Sequence, residues 1–229
     1  MKKLKVTIIG YGGMGSFHAK LIQANPEVEV HGIFDISESR QQAGEADGYS
    51  AYASLEEALN DACADTILIA TPNDVHKEIA VQALEAGKHV ICEKPVTLNS
   101  EELSEIMHTA KEHERVFMVH QNRRWDSDFQ MVKDLYENRK IGEVFHIESR
   151  VQGANGIPGD WRHLKAHGGG MLLDWGVHLL DQLLYMIDSP LAKVAADLSY
   201  ILGDEVDDFI WHLRWRGHDI IKSRVAKYG

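Results

Sequence analysis

The sequence predicts an α/β protein with a doubly wound parallel sheet in its N-terminal half, followed by an α+β region built on a mainly antiparallel sheet. Continuous apolar runs such as residues 64–70 (ADTILIA) are typical of strands covered on both faces. Helical patterns separate these runs, which predicts right-handed crossovers and a parallel sheet. After residue 123 the pattern changes to alternating strands and one strongly apolar helix. We therefore predict a Rossmann domain at residues 1–123 and an α+β domain at residues 124–229.

The composition is that of a soluble globular protein, with 229 residues, 44% hydrophobic and 26% charged. The formal net charge of −11 argues against nucleic acid and membranes as partners, since both present anionic surfaces. No apolar run in the sequence reaches the length of a membrane span. The two cysteines, Cys63 and Cys92, lie in apolar stretches without C-x-x-C spacing. This usage predicts a cytoplasmic protein rather than a disulfide scaffold.

The first predicted unit is a strand at residues 4–9, a glycine turn (GYGGMG) and a helix that starts near Met14. The turn matches G-x-G-x-x-G: Gly10 permits the tight turn, Gly12 allows a pyrophosphate to approach the backbone, and Gly15 allows helix and strand to pack closely. Asp35 ends the next apolar run, as a ribose-binding carboxylate would. The pattern predicts a dinucleotide site with phosphates at the helix start. The structural alternative is a glycine-rich turn that binds no ligand.

The remaining elements of the first half alternate between helix and strand. Predicted helices cover residues 37–46, a short segment opened by the capping box Ser54–Glu57, residues 75–86, and a segment from Asn99 or Ser100 to about His113. Predicted strands cover residues 28–35, 64–70, 89–92 and 115–120. Polar residues follow the strand ends at Asp35, Thr71–Asn73, Glu93–Pro95 and Gln121–Arg123. Because ligands bind such sheets at the carboxyl ends of the strands, one ligand is expected to contact all of these positions.

The second half is predicted to contain two helices and four strands. The helices cover residues 126–139 and 170–187, and a long loop covers residues 153–170. We predict a half-exposed antiparallel strand at residues 143–151 and further strands at 191–202, 207–215 and 219–228, with a turn at 215–218.

The apolar helix at residues 170–187 carries the strongest chemical signal of the second half. Asp174, His178 and Asp181 follow one another at spacings of four and three, which places them on one helix face. Burial of ionisable groups is costly unless they are paired or functional. The functional interpretation is a histidine acid/base oriented by Asp174, and the structural alternative is an Asp–His pair that satisfies a buried face. The glycine run 168–170 is expected to leave the helix start open to a ligand.

Lys94 lies between Glu93 and Pro95 at the end of the fourth predicted strand. A lysine at that edge can stabilise an alkoxide, although a surface lysine in a turn is the structural alternative. We hypothesise a cis peptide bond before Pro95, because X–Pro bonds adopt cis at low cost. An alternative is a zinc site, since ligand types suited to zinc occur at His163, His167, Asp174 and His178. Because glycines separate the two pairs and the spacing matches no closed site, no metal is predicted.

The combination of GYGGMG, FDIS, ATPNDVH, CEKPVT and GGGMLLDWGVHLLD resembles the Gfo/Idh/MocA family of NAD(P)-dependent oxidoreductases over essentially the whole chain. The resemblance implies that Lys94 and His178 are catalytic and that Asp174 assists. With the glycine turn, the expected cofactor contacts are Gly10, Gly12, Gly13, Met14, Gly15, Asp35, Ile36, Thr71, Pro72, Asn73, His76, Glu93, Lys94 and Gln121. The expected substrate-side residues are Lys94, Arg123, Trp161, Arg162, Asp174 and His178. Further polar side chains nearby in sequence are Asn122, Arg124 and His163.

The expected reaction is reversible oxidation of a secondary alcohol in a sugar, cyclitol or sugar derivative. His178 would remove the hydroxyl proton, and Lys94 would hydrogen-bond the reacting oxygen. Asp35 should favour NAD over NADP, and Arg40 should soften that preference. Two alternatives stay open: an NAD-dependent glycosidase that retains its cofactor, and a non-catalytic NAD-binding sensor or interaction protein.

The resemblance also bears on assembly. Members of the family usually continue with further C-terminal strands beyond the position of Gly229. The second sheet is therefore expected to be small, with an exposed edge that pairs in a homo-oligomer.

Overall fold

A computed structural model of the chain describes residues 3–144, 146–152, 159–188, 196–200, 205–211 and 220–226. The chain divides into two compact units, Met1–His120 and Gln121–Gly229. Among the described residues, no helix combines the length and the apolar character needed to cross a bilayer.

The first unit is built on a five-stranded parallel sheet. Its strands are β1 (Leu4–Ile9), β2 (Val28–Phe34), β3 (Thr66–Ile69), β4 (His89–Glu93) and β5 (Phe117–His120). They lie in the order β2-β1-β3-β4-β5, and every pairing is parallel. A parallel bridge between Ile33 and Ala51 adds one residue beyond β2. From β1 the chain first adds β2 on one side and then crosses back to add β3, β4 and β5 on the other side. The direction of winding therefore reverses between β1 and β3, and the predicted doubly wound fold is confirmed.

Helices follow the strands of the first unit, as the sequence pattern predicts. They are α1 (Gly13–Gln23), α2 (Glu38–Ala46), α3 (Leu55–Asn60), α4 (His76–Glu85) and α5 (Ser100–Glu112). Ser54 caps α3, since its Oγ accepts from the Glu57 N–H at 3.1 Å, and Glu57 Oε2 accepts from the Ala53 N–H at 2.8 Å. For α5 the cap is Asn99, whose side chain accepts from the Glu102 N–H at 2.9 Å. All four residues of β3 are buried, which explains the continuous apolar run.

The core of the first unit lies on both faces of the sheet. Ile9, Ile67 and Ile69 pack with α4 and α5 in one cluster, whereas Ile8 and Ile33 belong to a second cluster on the other face. The expectation of apolar surroundings holds for Cys92, which is buried, but it is wrong for Cys63, which is exposed.

The second unit contains α6 (Ser127–Glu137), β6 (His146–Gln152), α7 (Val177–Met186), β7 (Asp197–Ser199), β8 (Phe209–Trp211) and β9 (Ile220–Ala226). The strands lie in the order β6-β9-β8-β7, and the β7–β8 and β8–β9 pairings are antiparallel. The antiparallel assignment of the first strand is wrong, because β6 pairs with β9 in parallel. These two strands are separated in the chain by α7 and two further strands, so no hairpin joins them. The predicted turn at residues 215–218 lies outside the described residues.

The predicted helix at residues 170–187 is not α-helical throughout. It begins with a π-helical segment, Leu172–Gly176, and continues as α7 to Met186. A π-helical turn inserts an extra residue per turn and rotates the side chains before it relative to those after it. Asp174 lies in the π-helical segment and His178 and Asp181 lie in α7, so their common face stays a prediction. Asp181 is bound by Arg124 through two hydrogen bonds of 2.7 and 2.6 Å.

Candidate active site

The glycine turn joins the ends of three strands of the first unit. Gly10 has φ +93°, and a Cβ atom there would lie 2.6 Å from the carbonyl oxygen of Ala70, after β3. The Gly10 N–H also donates to the Phe34 carbonyl oxygen at the end of β2, at 2.7 Å. A Cβ atom on Gly15 would collide with the carbonyl oxygen of Gly10. The turn is thus closed on the protein side by backbone contacts that only glycine permits.

On its other side the turn is open. Helix α1 begins at Gly13, and within the described chain no side chain caps its N-terminus. A Cβ atom on Gly13 would meet nothing within 4 Å, and one on Gly12 would meet only the Arg40 guanidinium, at 3.6 Å. Uncapped N–H groups with the positive end of the helix dipole form an anion site. This geometry fits the pyrophosphate of a dinucleotide.

Asp35, at the end of β2, is held by backbone donors. Its carboxylate is 3% exposed and accepts from the N–H groups of Tyr11 (2.7 Å) and Ser37 (2.8 Å). Arg40 Nη1 lies 3.6 Å from the same carboxylate. The next residue, Ile36, is 94% exposed and offers an apolar surface beside the carboxylate. A carboxylate can accept further hydrogen bonds in addition to these two, so Asp35 can still receive a ribose diol.

The β3 end supplies a polar group that lacks an internal partner. Thr71 Oγ1 is buried and makes no hydrogen bond to any other described atom. Since buried polar atoms are normally satisfied, this hydroxyl fits contact with a bound molecule. His76 is fully buried, and its ring nitrogens lie 3.0 Å from the carbonyl oxygens of Thr71 and Pro95. With no exposed surface, His76 can act on a cofactor only by holding these two backbone segments in place.

At the β4 end, Glu93 is enclosed by two histidines. Its Oε1 atom lies 2.6 Å from His18 Nε2 and 3.1 Å from His120 Nδ1. Burial alone would raise the pKa of Glu93, but the hydrogen bonds from His120 and His18 outweigh it and lower the pKa to about 2. Lys94 follows directly, and the hypothesised cis bond between Lys94 and Pro95 is present.

His18 and His120 were absent from the residues expected from the sequence, although signals for both exist. His18 stands three positions after Gly15, which places it on the helix face that packs against the sheet. His120 ends β5, and the strand register pairs it with Glu93 on β4. To predict that both histidines contact Glu93, one must know the strand order, which the sequence pattern does not specify.

In the second unit, two groups of predicted site residues are assembled. Arg162 Nε donates to Asp174 Oδ1 at 3.3 Å, and the Arg162 guanidinium lies 4.5 Å from the Trp161 ring centroid. In the second group, Trp175 contacts the ring of His178 edge-to-face. The Arg123 guanidinium lies over the Trp175 ring, 4.2 Å from the ring centroid.

The exposures of the two predicted catalytic side chains in this unit differ. His178 is 4% exposed and Asp174 is half-buried. Gln121, also in this unit, directs Nε2 to the Val177 carbonyl oxygen at 3.4 Å, while its Oε1 atom is buried with no hydrogen bond to another described atom.

The glycines before the helix serve packing, so the expected open helix start is wrong. A Cβ atom on Gly169 would collide with the Arg162 carbonyl group, and one on Gly170 would collide with the Asp207 carboxylate. Asp207 caps the start instead: Oδ2 accepts from the Leu172 N–H at 2.8 Å, and its carbonyl oxygen accepts from the Met171 N–H at 2.9 Å. Burial raises the pKa of Asp207. This cap, which sequence reasoning missed, holds the segment that carries Asp174 and His178.

Within the described part of the chain, two groups of three side chains bring possible metal-ligand atoms together. They are His18, Glu93 and His120, and His31, Asp61 and Cys63. Neither contains the residues for which a zinc site was considered from the sequence.

Comparison with known proteins shows where the chain is similar. Residues 4–121 match the model of the oxidoreductase family with an NAD-binding Rossmann fold, GFO_IDH_MocA. Residues 129–217 match the GFO/IDH/MocA C-terminal domain.

Individual relatives agree with these family matches. The scyllo-inositol 2-dehydrogenase (NADP(+)) IolW of Bacillus subtilis is 30% identical over 99% of the chain and 62% of the relative. The D-glucoside 3-dehydrogenase of Escherichia coli is 30% identical over 83% of the chain and 56% of the relative. The chain therefore spans little more than half the length of these curated relatives.

Two solved structures are also similar. An NAD-binding protein from Listeria innocua superimposes with a TM-score of 0.96 at 56% identity, covering 99% of this chain and 67% of that one. GenD2 from gentamicin A biosynthesis, in complex with NAD, superimposes with a TM-score of 0.90 at 27% identity, covering 99% and 66%.

Proposed function

The chain belongs to the Gfo/Idh/MocA family of oxidoreductases, and we propose that it oxidises a secondary alcohol of a sugar, cyclitol or sugar derivative with NAD(P). The observation that carries this proposal is the placement of a nearly inaccessible histidine, His178, and a half-buried carboxylate, Asp174, on one π-to-α helical segment. Burial of ionisable groups in an apolar helix is costly, which favours a chemical role for these two side chains.

We propose the following roles for the chain's residues. Bound NAD(P) would supply the hydride acceptor for the carbon that bears the hydroxyl group. His178 takes the hydroxyl proton, and the negative charge of Asp174 stabilises the imidazolium. Lys94 donates a hydrogen bond to the reacting oxygen and stabilises charge that develops on it. Arg162, which donates to Asp174 at 3.3 Å, limits how far this carboxylate can move.

The cofactor is held by the first unit. The N–H groups at the start of α1 bind the pyrophosphate, and Thr71, Pro72 and Asn73 line its path at the end of β3. Asp35 accepts hydrogen bonds from the adenosine ribose, which favours NAD. Arg40 lies 3.6 Å from Asp35, so its guanidinium can offset the carboxylate charge and tolerate a 2′-phosphate. The NADP named for IolW supports keeping both cofactors in the proposal.

The substrate class rests on the relatives and on the polar side chains of the second unit. The two relatives are named for scyllo-inositol and for D-glucosides, which are both rich in hydroxyl groups. Arg123, Trp161 and Arg162 supply donors and aromatic surface suited to a hydroxyl-rich ring. A panel of inositols, hexoses and glucosides should be assayed for NADH and NADPH formation. If no compound of the panel yields NADH or NADPH, the dehydrogenase proposal is contradicted.

The same purified protein separates the remaining alternatives. A glycosidase that retains its cofactor would release sugar with no net change in absorbance at the NADH wavelength. A sensor would bind NAD and turn over nothing. The presence of Lys94, Asp174 and His178 in one chain supports the dehydrogenase, because a protein that only binds NAD requires only the glycine turn and Asp35.

We also propose a cytoplasmic homo-oligomer. The support for an oligomer is β6, which is an edge strand among the described residues and pairs on one side with β9. Long open edges are usually covered or paired in native proteins. Light scattering at micromolar concentration is expected to give a multiple of 25.8 kDa, and a monomer mass would contradict the proposal.

A further inference from the structure

Glu93 is held by side chains from two other elements of the first unit. It ends β4, His18 projects from α1, and His120 ends β5. Glu93 is 6% exposed, His18 is 4% exposed, and the His120 side chain is 24% exposed. The two imidazole nitrogens meet the same carboxylate oxygen, at 2.6 and 3.1 Å. We call these three residues the Glu93 cluster.

The chemistry of the acceptor defines the protonation of the donors. An ionised carboxylate only accepts, so His18 Nε2 and His120 Nδ1 must each carry a proton to make these bonds. A neutral imidazole with that single proton is sufficient for each bond. The hydrogen bonds keep Glu93 ionised although burial opposes it. The Glu93 carboxylate thus supplies one buried negative charge at the end of β4.

The same three atoms could be considered metal ligands, but their spacing favours hydrogen bonds. Ligand atoms about 2.1 Å from a tetrahedral ion stand about 3.4 Å apart. The separation of 2.6 Å between His18 Nε2 and Glu93 Oε1 is much shorter than this and matches a charge-assisted hydrogen bond. In the described geometry the three side chains bind one another.

The position of the Glu93 cluster in the sheet suggests what its charge acts on. The strand order β2-β1-β3-β4-β5 places Asp35, the proposed ribose acceptor, on one side of the glycine turn and Glu93 on the other. A dinucleotide whose adenosine half lies at β2 extends its nicotinamide half toward β3 and β4. The oxidised nicotinamide ring carries a positive charge, and the reduced ring carries none.

We propose that the Glu93 cluster is a specificity element for the redox state of the cofactor, binding the oxidised nicotinamide in preference to the reduced one. This inference rests on the proposed function, since it requires the cofactor to bind in the first unit. His18 and His120 are positioning residues in it, because they act by holding Glu93. Preference for the oxidised form favours loading of NAD⁺ and release of NADH.

The test compares the dissociation constants of NAD⁺ and NADH by calorimetry and by NADH fluorescence. In Glu93→Gln the preference for NAD⁺ over NADH is expected to fall at least tenfold relative to wild type, because a tenfold change is what removal of an opposite charge about 12 Å away gives at an effective dielectric constant near 20. Affinity for ADP-ribose, which lacks the nicotinamide, should stay unchanged. An unaltered NAD⁺/NADH ratio in a folded Glu93→Gln protein overturns the proposal.

Asp61 provides the matched control. Its carboxylate also accepts from a tyrosine and a histidine, Tyr52 at 2.6 Å and His31 at 3.0 Å. Lys88, which precedes β4, donates to the Asp61 carbonyl oxygen at 2.5 Å, so Asp61 lies at the amino ends of the strands. Asp61→Asn removes the same charge from the first unit and should leave the NAD⁺/NADH ratio unchanged. An equal fall in this variant would mean that the protein's net charge, not the Glu93 cluster, sets the ratio, and it would overturn the proposal.

A second variant keeps the test decisive if Glu93→Gln does not fold. His120→Arg introduces a permanent positive charge beside Glu93 at a partly exposed position, and it should lower the NAD⁺/NADH ratio in the same direction. A folded His120→Arg protein with the wild-type ratio contradicts the proposal.

Two further measurements distinguish the Glu93 proposal from a metal site and from a failure of the proposed function. One equivalent of metal in the purified protein that Glu93→Gln loses would replace the hydrogen-bonded cluster with a metal site and overturn the proposal. Failure of the wild-type protein to bind NAD⁺, NADH and both NADP forms would instead contradict the proposed function itself.

Discussion

A Cβ atom on Gly15 would lie 1.9 Å from the Gly10 carbonyl oxygen, well inside van der Waals contact, so helix α1 can approach the end of β1 only because residue 15 is glycine. Gly15→Ala is expected to lower the free energy of unfolding by about 1–3 kcal/mol or more, as overpacking against backbone does. Gly13→Ala is the control, because a Cβ atom at Gly13 meets nothing within 4 Å. Its stability should stay within about 1 kcal/mol of wild type. Urea unfolding of both variants measures the difference, and equal stability would contradict the steric argument.

Replacement of His178 should remove turnover without removing cofactor binding. A positioned general base contributes roughly two to four decades of rate, so His178→Ala should lose about that factor in kcat. NADH fluorescence titration should give a dissociation constant close to that of wild type, because all the proposed cofactor contacts except Gln121 lie in the first unit. His108→Ala is the control, since the His108 side chain is 70% exposed on α5. Wild-type turnover in His178→Ala would remove the proposed role.

Arg40 is expected to determine how well NADP is accepted. Its guanidinium lies 3.6 Å from the Asp35 carboxylate and also 3.6 Å from a Cβ position on Gly12. Arg40→Ala should weaken NADP binding about tenfold, the loss expected for one hydrogen bond to a charged phosphate, and leave NAD binding within about twofold. Calorimetric titration with each cofactor checks this. Equal losses for NAD and NADP would show that Arg40 contributes to the shape of the turn rather than to phosphate recognition.

Asp207 should stabilise the helical segment that carries Asp174 and His178. Asp207→Ala removes the acceptor for the Leu172 N–H, and loss of such a cap costs about 1–2 kcal/mol. Asp207→Asn keeps a side-chain oxygen and should recover most of that stability. Chemical denaturation compares the two variants, and kcat should fall with the stability of the second unit in Asp207→Ala. Identical stability of the alanine and asparagine variants would show that the cap contributes little.

The Glu93 carboxylate predicts an acid-sensitive contribution to stability. Its pKa in the folded protein is about 2, below the ordinary value of 4.5, so the folded state prefers the ionised form. The contribution is fully present above pH 4.5 and is lost as the pH falls through the folded pKa. The shift corresponds to about 3 kcal/mol of unfolding free energy. Urea unfolding of wild type and Glu93→Gln between pH 7 and pH 2 should show their difference shrinking below pH 4.5. A difference that does not change with pH would contradict this assignment.

The sequence by itself determined the fold of the first unit and the residues of the glycine turn. Both depend on local physics: continuous apolar runs form strands covered on both faces, and a turn this tight admits only glycine at Gly10 and Gly15. The Asn99 cap and the Ser54 cap are local in the same sense, because donor and acceptor are three residues apart. Family motifs also marked Lys94, Asp174 and His178, whose roles stay proposals.

Only the tertiary structure decided which side chains surround these positions. His18 and Glu93 are 75 residues apart in the chain, and Leu172 and Asp207 are 35 apart. Sequence periodicity specifies which face of an element is buried but not which element packs against it, so neither contact could be read from the pattern. The same limit explains the errors in the second half. The parallel partner of β6 and the capped start of the Leu172–Met186 segment both depend on contacts between distant segments.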